Sequence, residues 1–467
     1  MELDPLLLSR IQFAFVVSFH AIFPVFTIGL ASYIAVLEGL SFKTGNPVWE
    51  QLSKFWTQVF AVVFGMGVVS GIVMAFQFGT NWSEFSRLSA NFLGPVLSYE
   101  VVTAFFLEAA FLGILLFGRG KVPQGIHFLS AVMVATGTFI SSFWILSANS
   151  WMQTPAGVEL REGLYHVVSW SDAIFNASLW PRFFHMALAS FLTGAFVVAG
   201  VSAWFILRKR DVEVHRKALS MTLWLLLVIA PAQVVVGDIH GLNTLEHQPV
   251  KVAAMEGNWE RGTHVPLLLF AIPDQEEQKN HFEIGIPSLA SIILTHEASG
   301  EVPGIKDVPP EEQPPVFIVF WSFRVMVGIG MLMVLFAVTG LVLRYKQRFA
   351  STQWFLKGLT YMSFAPFIAV LAGWFVTETG RAPWLIYGQL SHADGVTPSL
   401  TGWMALFTLV GYILVYAIVF AAGAYYLMRV IQTGVTARED LTHSHNEQRA
   451  KRPMSAAAAS WEIEEQK

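Results

Sequence analysis

Nine stretches of this sequence, each longer than twenty residues, are almost free of charge: roughly 11–38, 55–79, 95–118, 124–148, 183–207, 217–240, 315–343, 354–378 and 402–429. A helix needs about 20 apolar residues to cross the hydrocarbon of a bilayer. Inside lipid the backbone must satisfy its own hydrogen bonds, so each run is expected to be a helix. Composition agrees, with 54% of residues hydrophobic and only 13% charged, where an ordinary soluble domain is about one-quarter charged. That balance excludes disorder and nucleic-acid binding, and the absence of cysteine excludes a disulfide-stapled secreted domain. The net charge of −4 says little about partners, because the charges are segregated between the runs. The expected fold class is all-α, a polytopic protein with nine transmembrane helices.

Turn signals such as Lys43-Thr44-Gly45-Asn46-Pro47 and Arg119-Gly120-Lys121-Val122-Pro123 separate the runs. The first run is too long, and starts too late, for a cleaved signal peptide. Nine crossings place the termini on opposite sides. Most of the 29 basic residues fall on one side, among them Arg208, Lys209, Arg210, Arg216, Lys217, Arg344, Lys346 and Arg348. Basic loops stay in the cytoplasm, so the N-terminus is expected outside and the C-terminus inside. Four segments follow: helices 1–6 over 1–240, a polar outer loop over 241–314, helices 7–9 over 315–429, and a charged, Ala-rich cytoplasmic tail over 430–467. A loop as long as 241–314 is expected to be functional, whereas the tail reads as solvated and without function.

Ionisable groups inside a bilayer cost several kcal/mol unless paired or ligating. The set here is short: His20, Glu100, Glu108, His185, Arg324, and Glu378 with Arg381. Placed on the expected topology, His20, Glu100, His185, Arg324 and Glu378 all fall in the outer half of the membrane. Glu108 lies about 12 Å deeper than Glu100 and about 80° around an ideal helix. Histidines and carboxylates gathered from several helices suit a metal, a haem or a proton relay. Each taken alone has a plainer reading: a histidine as a helix–helix hydrogen bond, a glutamate bonded to Ser, Thr or Trp, Arg381 snorkelling to headgroups. The 14% aromatic content is read mainly as lipid-facing surface and interfacial belts. Five such residues at one depth favour a shared site over separate accidents.

Longer strings carry a resemblance. Gly373-Trp374-Phe375-Val376-Thr377-Glu378-Thr379-Gly380-Arg381-Ala382-Pro383-Trp384 closely resembles the Gly-Trp-x-x-x-Glu-x-Gly-Arg-Gln-Pro-Trp block of cytochrome bd-type quinol oxidase subunit I. Leu8-Ser9-Arg10-Ile11-Gln12-Phe13-Ala14-Phe15 running to His20, Phe78-Gly79-Thr80-Asn81-Trp82, Trp144 to Gln153, and Phe320-Trp321-Ser322-Phe323-Arg324-Val325-Met326-Val327-Gly328 are similar to the same family, in order. The resemblance implies a quinol:oxygen oxidoreductase in a bacterial cytoplasmic (inner) membrane, reducing O2 to water with cytoplasmic protons. It implies a second large membrane subunit, subunit II, and admits a small single-span one.

It also implies roles. His185 and Met326 resemble the axial pair of a low-spin haem b, a ligation that fills both positions and suits electron transfer. His20 and Glu378 look like the ligands of a high-spin haem b and a haem d, or a further haem b in its place, with the assignment between the two open. Trp374 would stand in the electron path, and Arg324 and Arg381 would neutralise haem propionates. Glu108, Glu100 and Ser141 would form the proton route. The loop, beginning at Gly237-Asp238-Ile239-His240-Gly241, is similar to the family's quinol-binding loop, with Asp238, Lys251 and Glu256 as its quinol-site residues.

Two departures stand out. Ala382 replaces the glutamine of the most diagnostic block, which bears on the pocket beside Glu378 and on whether the third haem is d or b. The loop is of the short kind. The rivals are a haem-b-only, cyanide-insensitive variant and, from another class, a non-catalytic proton-coupled transporter.

Overall fold

The computed structural model describes residues 3–435. Within them the nine runs become nine membrane-length helical spans. These are α1 (Pro5–Thr44), α2 (Pro47–Thr80), α3 (Ser83–Glu100) continued by α4 (Phe106–Phe117), and α5 (Gln124–Gln153). A short hairpin follows, β1 (Val158–Arg161) with β2 (Leu164–Val167), then α6 (Trp170–Ile174), the spans α7 (Leu179–Leu207) and α8 (Val212–His247), and α9 (Pro249–Glu256). The long loop also holds an antiparallel hairpin, β3 (Leu267–Asp274) with β4 (Lys279–Ile286), and α10 (Leu289–Thr295). The remaining spans are α11 (Val316–Tyr345), α12 (Gln353–Met362) with α13 (Ala365–Thr379), and α15 (Gly402–Thr433). Between α13 and α15 lie β5 (Trp384–Ile386), β6 (Leu390–Ser391) and α14 (His392–Gly395).

Local chemistry sets the ends. Asp4 caps α1 by accepting from Leu6 N–H at 2.9 Å, Pro5 occupies its first position, and Gly45 closes it at φ 62°. Asn46 then caps α2 at 3.1 Å with Pro47 as its first residue, so one Gly-Asn-Pro triplet turns the chain around. The eighth span breaks at Ser363-Phe364, ahead of Pro366, because proline has no N–H to give the carbonyl four residues back, that of Met362, and its ring crowds it.

Burial separates interior from rim. Half of the apolar window of α1 and 72% of that of the α6–α7 span are buried, against 17% for α3–α4 and for α11. Backbones cross closely where Gly29 of α1 meets Ser190 and Gly194 of α7: a Cβ on Gly29 would stand 2.1 Å from the Ser190 carbonyl oxygen. Small residues at such crossings let helices pack without a hydrophobic drive. Aromatic side chains do more than line the surface. Phe15, Phe19 and Phe23 interleave with Tyr416 and Phe420, tying α15 to α1.

The helices outrun the apolar runs, because polar residues at one end bond each other instead of ending the helix. Gln12 donates to Gln77 and Asn81 at 3.1 Å and accepts from Thr408 at 2.9 Å, while Asn81 donates to Ser9 at 3.0 Å. His20 therefore sits about 22 Å along α1 rather than at its start. Asp238, expected to open the outer loop, lies inside α8, which continues past residue 240 to His247. Most of the expected tail lies outside the described residues, and 430–433 belong to α15.

At the other end of α1 the structure buries a carboxylate absent from the sequence-derived set. Glu38 is 1% exposed and accepts from Arg119, Ser53 and His127, the last at 3.0 Å. These partners come from the α4–α5 turn, α2 and α5. Removing one member of a buried pair costs about 3–5 kcal/mol, because the other charge is stranded. Arg119→Ala is expected to lower the Tm of the purified protein by that mechanism. Unchanged stability would mean that His127 and Ser53 hold Glu38 unaided.

Candidate functional site

A cavity of about 710 Å³ opens among α7, α8, α11 and α13 and reaches α9. That lies in the range of small-molecule and cofactor sites. His185 of α7 and Met326 of α11 both line it, with Arg182, Gln233, Asp238, His240, Lys251, Glu256 and Trp374. Glycines clear space beside both candidate ligands. A Cβ on Gly373 would lie 3.0 Å from the Met326 sulfur, and one on Gly237 would lie 3.3 Å from the His185 ring. The Gln233 amide nitrogen lies across the His185 ring, 3.3 and 3.4 Å from its two nitrogens.

Glu378 sits at the end of α13 in a polar knot. It accepts from Asn149 at 2.8 Å, from Gln153 at 3.4 Å and from Arg381 at 2.5 Å. Lys251 extends the knot, donating to Gln153 at 2.6 Å and to Gln248 at 2.5 Å. Three donors of this region find no protein acceptor among the described residues: Nε and Nη1 of Arg381 and Nε of Arg182. Two buried guanidinium groups with spare donors suit an anion such as a propionate, a fit carried by this chain's own atoms. Burial, with Arg182 and Arg381 close by, pushes the Lys251 ammonium well below the usual lysine range. On the next turn of α9, burial holds the Glu256 carboxyl above the ordinary carboxylate range, against the pull of Arg324.

Arg324 is engaged by protein. Its Nε donates to the Leu268 carbonyl at 2.7 Å, Nη1 to the Met255 carbonyl at 2.5 Å and Nη2 to Glu256 at 2.9 Å. It thus clamps α9 and β3 to α11. The spare guanidinium donors belong to Arg182 and Arg381 instead. The sequence does not single out Arg182, since one arginine before a long apolar run looks like an interfacial anchor.

His20 faces α2. Its Nδ1 lies 2.9 Å from Ser70 Oγ, and the Ser70 hydroxyl donates to the Gly67 carbonyl at 2.9 Å. A serine hydroxyl spent on that carbonyl offers its oxygen to Nδ1, the tautomer that leaves the Nε2 lone pair for a ligand. This is how outer-shell partners orient a ligating histidine.

Two carboxylates face α5. Ser141 donates to Glu100 at 2.7 Å. One turn away, a Cβ on Gly137 would stand 2.5 Å from Glu108 Cγ, so that carboxylate lies against bare backbone. The 80° offset of an ideal helix is removed by a single π turn at Val101–Phe105, where Phe106 N–H bonds the Val101 carbonyl. A π turn holds about one extra residue and sets the following helix back by about 100°, returning Glu108 to the face of Glu100. Periodicity alone gives no signal for such a turn.

The expected single depth is not what the structure has. Glu378 bonds Asn149 and Glu100 bonds Ser141, eight residues apart on α5, or about 12 Å along the helix. The candidates form one layer on the side of the long loop, with His185, Met326, Glu378 and Arg381, and another farther from that loop, with Glu100 and Glu108. Asn149 and Gln153 lie in the Trp144–Gln153 string of the resemblance without a role assigned to them there, and Gln248 is not singled out, since uncharged amides beside a helix end carry no signal of burial.

Comparison with known proteins gives consistent matches. The family model described as cytochrome bd terminal oxidase subunit I matches residues 8–435. The chain is 36% identical to the Bacillus subtilis (strain 168) cytochrome bd ubiquinol oxidase subunit 1, over 92% of this chain and 94% of that protein. It is 31% identical to the Escherichia coli (strain K12) cytochrome bd-II ubiquinol oxidase subunit 1, over 93% and 98%. Among solved structures, the bd oxidase from Geobacillus thermodenitrificans superposes with a TM-score of 0.86 at 31% identity, covering 92% of this chain and 99% of that one.

Proposed function

The chain belongs to the cytochrome bd terminal oxidase subunit I family, haem-containing subunits of quinol oxidases that work with a second subunit, and from that premise we propose how its residues divide the work. Quinol is oxidised beside the long loop, O2 is reduced to water within the helices, and protons arrive from the opposite face. One observation carries this reading: His185 and Met326 share their cavity with Lys251 and Glu256 from the loop. An electron-transfer ligand pair and a proton-accepting pair then border one space.

His185 and Met326 would hold a low-spin haem b, and His20 and Glu378 the two further haems, a high-spin haem b with haem d or another haem b. When bound, these groups supply one-electron transfer and, where one iron position is open, oxygen chemistry. The protein's own part is distinct. Arg381 and Arg182 would neutralise propionates with their spare donors. Trp374, four residues before Glu378 and lining the cavity, would stand between the two ligand sets. Lys251, held toward its neutral form, can accept a hydrogen bond from a quinol hydroxyl, and Glu256 can take the released proton. Arg324 holds Glu256 in place. Asp238, now within α8, would border the quinol from the helix.

Glu108 and Glu100 would pass protons along α5, with Ser141 steadying the second carboxylate. The basic-loop count supports uptake from the cytoplasm and discharge outside, so charge separates without a pump. The bacterial cytoplasmic membrane and a small single-span subunit belong to the same reading. Asn149 and Gln153 bring two amides to Glu378 beside Ala382. A proton-coupled transporter leaves the His/Met pair and the spare guanidinium donors without a purpose. A haem-b-only oxidase differs in pigment, and a red α-band would separate it from a haem d enzyme.

His185→Ala is expected to abolish the low-spin haem signal and quinol oxidation together; turnover that survived the change would break the ligand assignment. A second test uses pH. With the Glu256 carboxyl raised, its proton-accepting form is lost as pH falls through a value above the ordinary carboxylate range. Quinol oxidation should therefore decline on the acid side with a midpoint there, and Glu256→Gln should be slow at every pH and lack that limb. An identical profile in the variant would remove Glu256 from the proton step.

A further inference from the structure

At the end of the bundle away from the long loop, a recess of about 340 Å³ lies between the first turns of α8 and the last turn of α11. Glu213, Arg216, Lys217, Ser220, Arg344 and Gln347 line it, and buried Phe349 is its floor. Three cations and one carboxylate converge there. Among the described residues, Arg216, Lys217 and Arg344 enter no ion pair.

The two arginines are also crowded. Both guanidinium groups stand over the Phe349 ring, at 5.9 and 5.7 Å from its centroid. Arg344 is fixed further by Nη1 bonding to Ser220 and by Trp224, 5.2 Å from its guanidinium. Like charges held together cost free energy that an anion between them would offset. The first turn of a 36-residue helix adds its own positive potential. The surface just inside the recess is apolar and exposed in this chain: Trp224 and Val228 on α8, and Leu335 and Val342 on α11, are 46–67% exposed.

We propose that this recess binds the phosphodiester headgroup of an anionic phospholipid, whose acyl chains lie along the α8–α11 surface. Arg344, packed on Trp224 and Phe349, is a fixed donor for the phosphate. Arg216 and Lys217 close over it from α8. A free phosphate would use the same cations but none of the apolar surface.

The test is native mass spectrometry of the delipidated, detergent-purified oxidase complex, titrated with phosphatidylglycerol or phosphatidylcholine. Wild type should hold one phosphatidylglycerol more tightly than any phosphatidylcholine. Arg216→Gln and Lys217→Gln should each weaken that lipid roughly fivefold, the share expected of one cation near an anionic headgroup. An unchanged haem spectrum in the variants reports an intact fold. Equal retention of the two lipids, or undiminished phosphatidylglycerol binding in both variants, would overturn the proposal. So would displacement of the bound lipid by inorganic phosphate alone, which would make the recess a site for a soluble anion.

Discussion

A charge or a hydrogen-bonding side chain left unpartnered in hydrocarbon is too costly to keep, and in this bundle one helix partners four of the ionisable groups. Along α5, His127 meets Glu38, Gly137 gives room to Glu108, Ser141 bonds Glu100, Asn149 bonds Glu378, and Gln153 bonds both Glu378 and Lys251. The spacing from 137 to 141, and from 149 to 153, is one helical turn, so each pair shares a face. Four other segments of the chain bring their ionisable groups to this helix: α1, the α3–α4 span, α9 and α13. The position of α5 thus decides which groups meet and at what depth.

Two levels follow from that arrangement. The level nearer the long loop gathers Glu378, Arg381, Arg182, Lys251 and the cavity with His185 and Met326. The other level holds Glu100 and Glu108, brought into line by the π turn. Under the proposed reading, electrons and quinol belong to the first level and proton delivery to the second. Charge separation then needs no moving part, only two approaches to one interior.

Much of this was legible in the residues. Nine runs of low charge gave nine spans, because lipid allows so few alternatives to a helix. His20, His185, Glu100, Glu108 and Glu378 stood out because each is expensive where it lies. What stayed hidden had physical causes. Helix α1 begins at Pro5 because Ser9 and Gln12 find polar partners on α2, a long-range effect invisible to a sliding window. The π turn leaves no mark on periodicity over so few residues. Arg182 and Glu38 sit at the edges of runs, where a charge usually means orientation, yet tertiary contacts bury both. Asn149, Gln153 and Gln248 are ordinary amides until Glu378 and Lys251 are brought beside them.

The central claim is that ligands from α1, α7, α11 and α13 hold three haems within this one chain. Pyridine extraction of the purified complex, normalised to the amount of this chain, tests it most directly. Three haems per chain, at least two of them of the b type, is the expected result. A preparation with turnover but fewer than three, or a folded chain with none, would contradict the account.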